Sequence, residues 1–158
     1  LVSSSNDAAI ALEEYYNAFR VEDDRTFVAS MNGKAQALGL VDTFFVEPSG
    51  ININNRSTAY DLARLADYIF QVPALRQILS TPVIDVQSVD GVTNHHLVNS
   101  NKLLGVLPGV LAGKTGYTDE AGESIALFVK KGDNPDDYLI HIVLGSDDRI
   151  KDARALID

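Results

Sequence analysis

The sequence of 158 residues predicts a single α+β domain, with helices in the first half and an antiparallel sheet in the second. Up to about residue 80 the apolar residues recur with a helical period of 3.6, whereas from Thr81 onward they approach a period of two. Hydrophobic residues make up 46% and charged residues 22%, as in globular domains of this size. We therefore expect a helical part over about 1–80 and a sheet with a final helix over about 81–158.

Four helices are predicted in the first half because each has a recognisable start. The expected starts are, in chain order, Ser5 or Asn6 as an N-cap, the acidic run Glu22-Asp23-Asp24, the capping box Thr58-Ala59-Tyr60-Asp61, and Pro73 in a first turn. The first helix is expected to continue to about Phe19 and the second to end at Gly39. An irregular loop with Pro, Gly and several Asn residues separates the second and third helices over 41–56.

The second half predicts strands and one last helix. Asp90-Gly91 is typical of a hairpin turn, with strands on either side of it. Two almost continuous apolar stretches, 125–129 and 139–144, are typical of central strands that are covered on both faces. A helix from about Asp148 to Ile157 completes the chain.

Charge and composition exclude several classes of function. The formal net charge of -9 and the pI near 4.6 oppose binding to nucleic acid or to an anionic membrane surface. No apolar run approaches the ~18 residues that span a bilayer. The chain has no Cys, and His95 and His96 would point to opposite faces of a strand, so no metal site is predicted. The acidic turn with Asp133, Asp136 and Asp137 is interpreted as solvated.

Two short motifs could carry chemistry. Ser4-Ser5-Asn6 stands at a helix start, where Ser and Asn are also ordinary caps. Lys114-Thr115-Gly116 lies on or beside a strand, where Lys114 and Thr115 should project to opposite faces and Gly116 lets another backbone approach. A cation, a hydroxyl and free backbone donors suit a carboxylate, although this tripeptide alone favours a solvated lysine of an edge strand.

The order of four segments adds weight to these motifs. They are Ser4-Ser5-Asn6-Asp7-Ala8-Ala9, Thr43-Phe44-Phe45-Val46-Glu47-Pro48-Ser49-Gly50-Ile51, Ser57-Thr58-Ala59-Tyr60-Asp61-Leu62-Ala63 and Lys114-Thr115-Gly116-Tyr117-Thr118-Asp119-Glu120-Ala121-Gly122. Over essentially its whole length the chain resembles the serine D-alanyl-D-alanine carboxypeptidases, the low-molecular-mass penicillin-binding proteins, with their DD-peptidase/β-lactamase-like fold. Glu47 and Ile51 depart from the Asn and Leu that are more usual there.

The resemblance implies roles for individual positions. Ser4 matches a serine that relays a proton towards the leaving amine, and Lys114 matches the lysine whose charge supports that relay. Asn6 matches the amide that holds the peptide carbonyl of the substrate. The implied reaction is acyl transfer on peptidoglycan stem peptides, without metal or cofactor, in the cell envelope, and β-lactams would acylate the complete protein.

Three more residues would bind substrate. Thr115 matches a hydroxyl ligand of the terminal carboxylate, and the backbone N–H of Tyr117, just after the motif glycine, matches an oxyanion-hole donor. Arg149 aligns with an arginine that can bind the same carboxylate. The alternative for Arg149 is a surface salt bridge with Asp148 or Asp152.

The nucleophile of this family is missing from these residues. It is the serine of a Ser-x-x-Lys motif, and none of the six lysines here has Ser three positions before it. We therefore expect the chain to be the C-terminal portion of a catalytic domain, inactive alone, with an incomplete sheet or an exposed apolar groove that a second chain could cover. The alternatives are a non-catalytic peptidoglycan-binding module or pseudoenzyme and a fragment of a class A β-lactamase.

Overall fold

The computed structural model describes residues 1–19, 26–134 and 137–157. The helices are α1 (Asn6–Phe19), α2 (Phe27–Ala37), α3 (Ala59–Phe70), α4 (Pro73–Leu79) and α5 (Arg149–Ile157). The strands are β1 (Val83–Gln87), β2 (Asn94–Val98), β3 (Val110–Thr118), β4 (Gly122–Lys130) and β5 (Tyr138–Ser146). These elements confirm the α+β class. The expected second-helix start at Glu22-Asp23-Asp24 lies outside the described residues, and no helix within them is long and apolar enough to cross a bilayer.

The helix caps follow from local sequence, with one correction. Ser5 Oγ accepts the N–H of Ala8 at 3.2 Å, so Ser5 caps α1. Thr58 Oγ1 accepts the N–H of Asp61, but the Asp61 carboxylate does not complete the expected capping box. It accepts instead from the N–H of Asp42 at 2.9 Å and the hydroxyl of Thr43 at 2.8 Å. The buried Asp61 side chain therefore connects the start of the 41–56 loop to the first turn of α3.

The strands form two separate antiparallel sheets. β1 and β2 make an exposed hairpin, whereas β3, β4 and β5 make a three-stranded sheet in that order. β4 is central, as its apolar sequence predicts. For β5 the prediction is correct in part: α3 and α5 contact it from the two faces of the sheet, but among the described residues it pairs only with β4 and is an edge strand.

Helices cover the three-stranded sheet on both faces. One face presents Ile125, Leu127 and Val143 to a core that includes Ala153 of α5. The other face presents Phe128, whose ring stacks on Phe70 of α3 with centroids 4.1 Å apart. Each large apolar side chain buried in this way stabilises the fold by about 1.5–3 kcal/mol.

The α3 face of the sheet is covered only at one end. Beyond Phe128, the apolar side chains of α3 and the sheet line an open cavity of about 350 Å³. We call it the apolar groove; its lining includes Leu62, Leu65, Ile69, Ala126, Ile142 and Leu144. The expected exposed groove is therefore present in the described structure, and Lys114 lies on its wall.

Candidate active site

The structure brings the two sequence motifs together. The ammonium of Lys114 on β3 donates a 2.6 Å hydrogen bond to Ser4 Oγ, and it also donates to the carbonyl oxygen of Thr115. Burial, and then the positive charge of Arg149, lowers the pKa of the Lys114 ammonium below its usual range. A cation held against a hydroxyl can polarise that hydroxyl and exchange a proton with it.

Lys114 pairs with Ala126, and Thr115 pairs with Ile125, across β3 and β4. Strand alternation predicts opposite faces for the two side chains, but both residues and both of their partners line the apolar groove. The apolar surroundings of Lys114 explain why burial dominates its lowered pKa.

Ser4 has an unusual backbone conformation. Its φ of 57° lies in the left-handed region, where a side chain costs roughly 1–2 kcal/mol relative to the right-handed one. The N–H of Ser4 is bonded to the carbonyl of Leu1 at 3.3 Å, which closes a turn just before α1. Strained residues cluster at functional sites, where the surrounding fold maintains them.

Ser100 connects both motifs and was not predicted as a site residue. Its N–H donates to the carbonyl of Val2 at 3.0 Å, and its Oγ accepts the hydroxyl of Thr115 at 2.7 Å. The next residue, Asn101, is buried against Gly113, where a Cβ would lie 2.6 Å from Asn101 Nδ2. This short segment therefore fixes the distance between the Ser4 turn and β3.

Arg149 lies at the same end of β3. Its Nη1 donates to the carbonyl of Gly116 at 2.7 Å, and its Nη2 lies 3.5 Å from Glu123 Oε1. Within the part of the chain described, its ion pair is with Glu123, so the proposed pairing with Asp148 or Asp152 is wrong. Those two carboxylates accept hydrogen bonds from other residues near the start of α5.

The remaining predicted residues lie at the edges of this site. The side chain of Asn6 is exposed at the start of α1. It takes no part in the hydrogen bond between Lys114 and Ser4. Tyr117 is 61% exposed, and its hydroxyl donates to Asp119 at 2.7 Å. A Cβ placed on Gly116 would meet no atom within 4 Å, so the strand has open space there for another backbone.

Ser100 and Glu123 are the two residues that sequence reasoning missed. Ser100 lies in a segment that the sequence predicts as a loop, and Glu123 lies at the start of a predicted strand, where a glutamate is ordinary. Their partners are far away or across a strand pair, so no local pattern indicates them. Only the register of β3 with β4, which places Tyr117 opposite Glu123, could have suggested the second.

Known proteins resemble this chain in sequence. A family model described as D-alanyl-D-alanine carboxypeptidase, peptidase S11, matches residues 1–148. A D-alanyl-D-alanine endopeptidase of Pseudomonas aeruginosa is 32% identical over 162 residues, covering 99% of this chain and 49% of the relative. A D-alanyl-D-alanine carboxypeptidase of Bacillus subtilis is 35% identical over 132 residues, covering 83% and 33%.

Solved structures resemble it in fold. A variant of the Streptomyces K15 DD-transpeptidase superposes with a TM-score of 0.85 at 29% identity, covering 99% of this chain and 63% of that one. Penicillin-binding protein D2 of Listeria monocytogenes, solved with cefotaxime bound, gives a TM-score of 0.78 at 32% identity, covering 99% and 61%. The chain spans 49% of the length of the Pseudomonas aeruginosa relative and 33% of the length of the Bacillus subtilis relative.

Proposed function

The chain belongs to the D-alanyl-D-alanine carboxypeptidase family, peptidase S11, and we propose that it forms part of the catalytic domain of a serine peptidase that cleaves D-Ala-D-Ala in peptidoglycan stem peptides. The observation that carries this proposal is the 2.6 Å hydrogen bond from Lys114 to Ser4 Oγ. It joins two motifs that are 110 residues apart in the sequence into one proton-transfer pair. Peptidoglycan as substrate also implies that the protein acts in the cell envelope.

The reaction is acyl transfer. A serine oxygen attacks the carbonyl carbon of the penultimate D-Ala, a C–O bond forms, and the C–N bond to the terminal D-Ala breaks. The attacking hydroxyl gives its proton to the lysine of Ser-x-x-Lys. The leaving amine takes up a proton from Ser4, with support from the Lys114 charge, and the same lysine returns a proton to Ser4. Water then attacks the ester and releases the shortened peptide. Asn6 holds the peptide carbonyl, and the N–H of Tyr117 stabilises the oxyanion, which is worth about 3 kcal/mol per donor.

The terminal carboxylate of the substrate would lie beside β3. Thr115 and Arg149 are the proposed ligands, and the open space at Gly116 admits the substrate backbone. The guanidinium of Arg149 already lies against the Gly116 carbonyl, so it needs no large movement to reach an anion there. A charged donor to a carboxylate gives a hydrogen bond about twice as strong as a neutral one.

The attacking serine has to come from outside these 158 residues, because they contain no Ser-x-x-Lys. We propose that the segment carrying it packs in the apolar groove. The groove is lined mostly by apolar side chains and also by Lys114, so an apolar helix lying in it could bring its serine beside Lys114 and Ser4. Filling this cavity would also remove exposed apolar surface.

The test compares two polypeptides. The 158-residue chain should release no D-Ala from a stem pentapeptide analogue and should not be labelled by a fluorescent penicillin. A gene product that also carries Ser-x-x-Lys should release D-Ala from the pentapeptide and should be labelled by the penicillin. Labelling of the short chain would overturn the proposed source of the nucleophile.

A second candidate is a non-catalytic peptidoglycan-binding module, which the absence of Ser-x-x-Lys from these residues favours. It predicts that the complete gene product binds the pentapeptide without releasing D-Ala. A class A β-lactamase would instead hydrolyse the penicillin rapidly after acylation, whereas a D-Ala-D-Ala peptidase remains labelled.

A further inference from the structure

Glu123 contacts Arg149 in two ways. Its Oε2 accepts the main-chain N–H of Arg149 at 3.0 Å, and its Oε1 lies 3.5 Å from the guanidinium nitrogen Nη2. Both side chains are largely shielded, with 20% of Arg149 and 32% of Glu123 exposed. A partly shielded pair at this distance interacts more strongly than a pair on an open surface.

The main-chain contact fixes the start of α5. Asp148 Oδ1 accepts the next two N–H groups of the helix, those of Ile150 and Lys151, at 3.1 and 3.0 Å. Glu123 supplies the acceptor for Arg149 from a different element, the start of strand β4. Arg149 is therefore held by its backbone and by its side chain, and the guanidinium points to the Gly116 carbonyl.

The same contact reduces the positive charge of the site. Lys114 and Arg149 are two cations at this end of β3, and they are close enough for Arg149 to contribute to the lowered pKa of Lys114. Glu123 brings one negative charge into direct contact with one of them. An anion that binds between these cations would therefore also be repelled by Glu123.

We propose that Glu123 is a positioning and specificity-determining residue, which holds Arg149 in place while weakening the affinity of the site for a substrate carboxylate. This inference rests on the proposed function, since it assumes that the carboxylate of D-Ala-D-Ala binds at Thr115 and Arg149. Its consequence is a site that discriminates only modestly between a peptide with a free terminal carboxylate and one whose terminus is blocked.

Glu123→Gln isolates the charge from the geometry. The amide oxygen of glutamine can still accept the Arg149 N–H, and the Gly116 carbonyl still accepts from the guanidinium, so the substitution removes the negative charge and its ion pair with Nη2 but keeps the contact that caps α5. Glu120→Gln is the matched control, because Glu120 is an exposed glutamate in the turn that precedes β4 and its loss removes the same charge three residues away.

The experiment titrates the 158-residue chain with N-acetylated L-Lys-D-Ala-D-Ala and with the C-terminal amide of the same peptide, followed by amide NMR spectra. The spectra also report whether each variant is folded. For Glu123→Gln we expect affinity for the acid to rise about three- to tenfold and affinity for the amide to stay within about twofold. Glu120→Gln should leave both affinities within about twofold.

Three outcomes would overturn the inference. Glu123→Gln could leave the preference for acid over amide unchanged, which is what a purely structural cap predicts. Glu120→Gln could produce the same gain, which would make the effect a general one of net charge. A folded Arg149→Gln variant could bind the peptide acid as tightly as wild type does. In that case the proposed carboxylate site is wrong, and so is the proposed role of Glu123.

Discussion

Lys114 Nζ lies 2.6 Å from Ser4 Oγ although 110 residues separate them in the sequence. The contact needs the turn at Ser4, the groove face of β3 and the Ser100 segment that holds both in place. It gives the proposed acyl transfer its proton-transfer pair, and the following predictions test the arrangement around it.

Stability should depend on the charge of Lys114. Its pKa is lowered in the folded chain, mainly by burial, from an unfolded value near 10.5. Between the folded and the unfolded pKa the unfolded chain binds more protons, so stability rises with pH across that window. Urea unfolding from pH 7 to 10 should show wild type gaining stability relative to Lys114→Met. A constant difference would contradict the burial of the charge, and Lys151→Met serves as the exposed control.

Gly113 and Gly116 should respond differently to alanine. A Cβ on Gly113 would lie 2.6 Å from Asn101 Nδ2 and 2.9 Å from the Ala126 carbonyl oxygen, whereas a Cβ on Gly116 meets no atom within 4 Å. We expect Gly113→Ala to destabilise the fold by about 1–3 kcal/mol and Gly116→Ala by less than about 0.5 kcal/mol. Thermal unfolding measures both losses of stability. Equal losses in the two variants would contradict the close packing around Gly113.

The hydrogen bond between Thr115 and Ser100 should be measurable as a coupling energy. Thr115 is buried, so losing its acceptor leaves a hydroxyl without a partner. A double-mutant cycle with Ser100→Ala and Thr115→Val should give a coupling of about 1 kcal/mol in urea unfolding. A coupling near zero would mean that Ser100 does not position Thr115.

The ionised Glu47 side chain should stabilise the 41–56 loop, and that stabilisation should be lost at acid pH. Burial opposes its ionisation, but hydrogen bonds from the Ser49 hydroxyl and from the N–H groups of Asn52, Ser49 and Gly50 outweigh it and lower its pKa to about 2. The stabilisation is present above pH 4.5 and is lost as the pH falls towards 2. Because the side chain is partly exposed, we expect Glu47→Gln to cost only about 1–2 kcal/mol at pH 7.

Urea unfolding at a series of pH values checks this. The stability difference between wild type and Glu47→Gln should narrow from pH 4.5 to pH 2, whereas Glu14→Gln, on the exposed face of α1, should differ little from wild type at any pH. If the stability difference between wild type and Glu47→Gln stays unchanged at pH 2, the effect comes from the shape of the side chain and not from its charge.

Local patterns predicted most of the elements and both motifs. The caps at Ser5 and Thr58, the hairpin at Asp90-Gly91 and the end of α2 at Gly39 each depend on a few neighbouring residues, which is why they could be predicted. The edge position of β5 among the described residues could not, because an apolar sequence indicates that the faces of a strand are covered but not whether a second strand pairs with it.

The site itself was predicted only in part. Family order indicated Ser4, Lys114 and Arg149, but their contacts come from tertiary structure. Asp61 illustrates the reason: its sequence position predicts a capping box, yet the nearby Asp42 N–H and Thr43 hydroxyl are the donors that it binds. Glu123 was missed for the same reason, since its partner Arg149 starts another element.

The most direct test of the central claim is the rate at which a fluorescent penicillin acylates a gene product that carries Ser-x-x-Lys together with these 158 residues. We expect Ser4→Ala and Lys114→Met each to lower that rate about 10²- to 10⁴-fold, as for the loss of a proton-transfer group, while Lys151→Met leaves it unchanged. A folded Lys114→Met protein that is acylated at the wild-type rate would contradict the assignment of Lys114 and Ser4 as the proton-transfer pair.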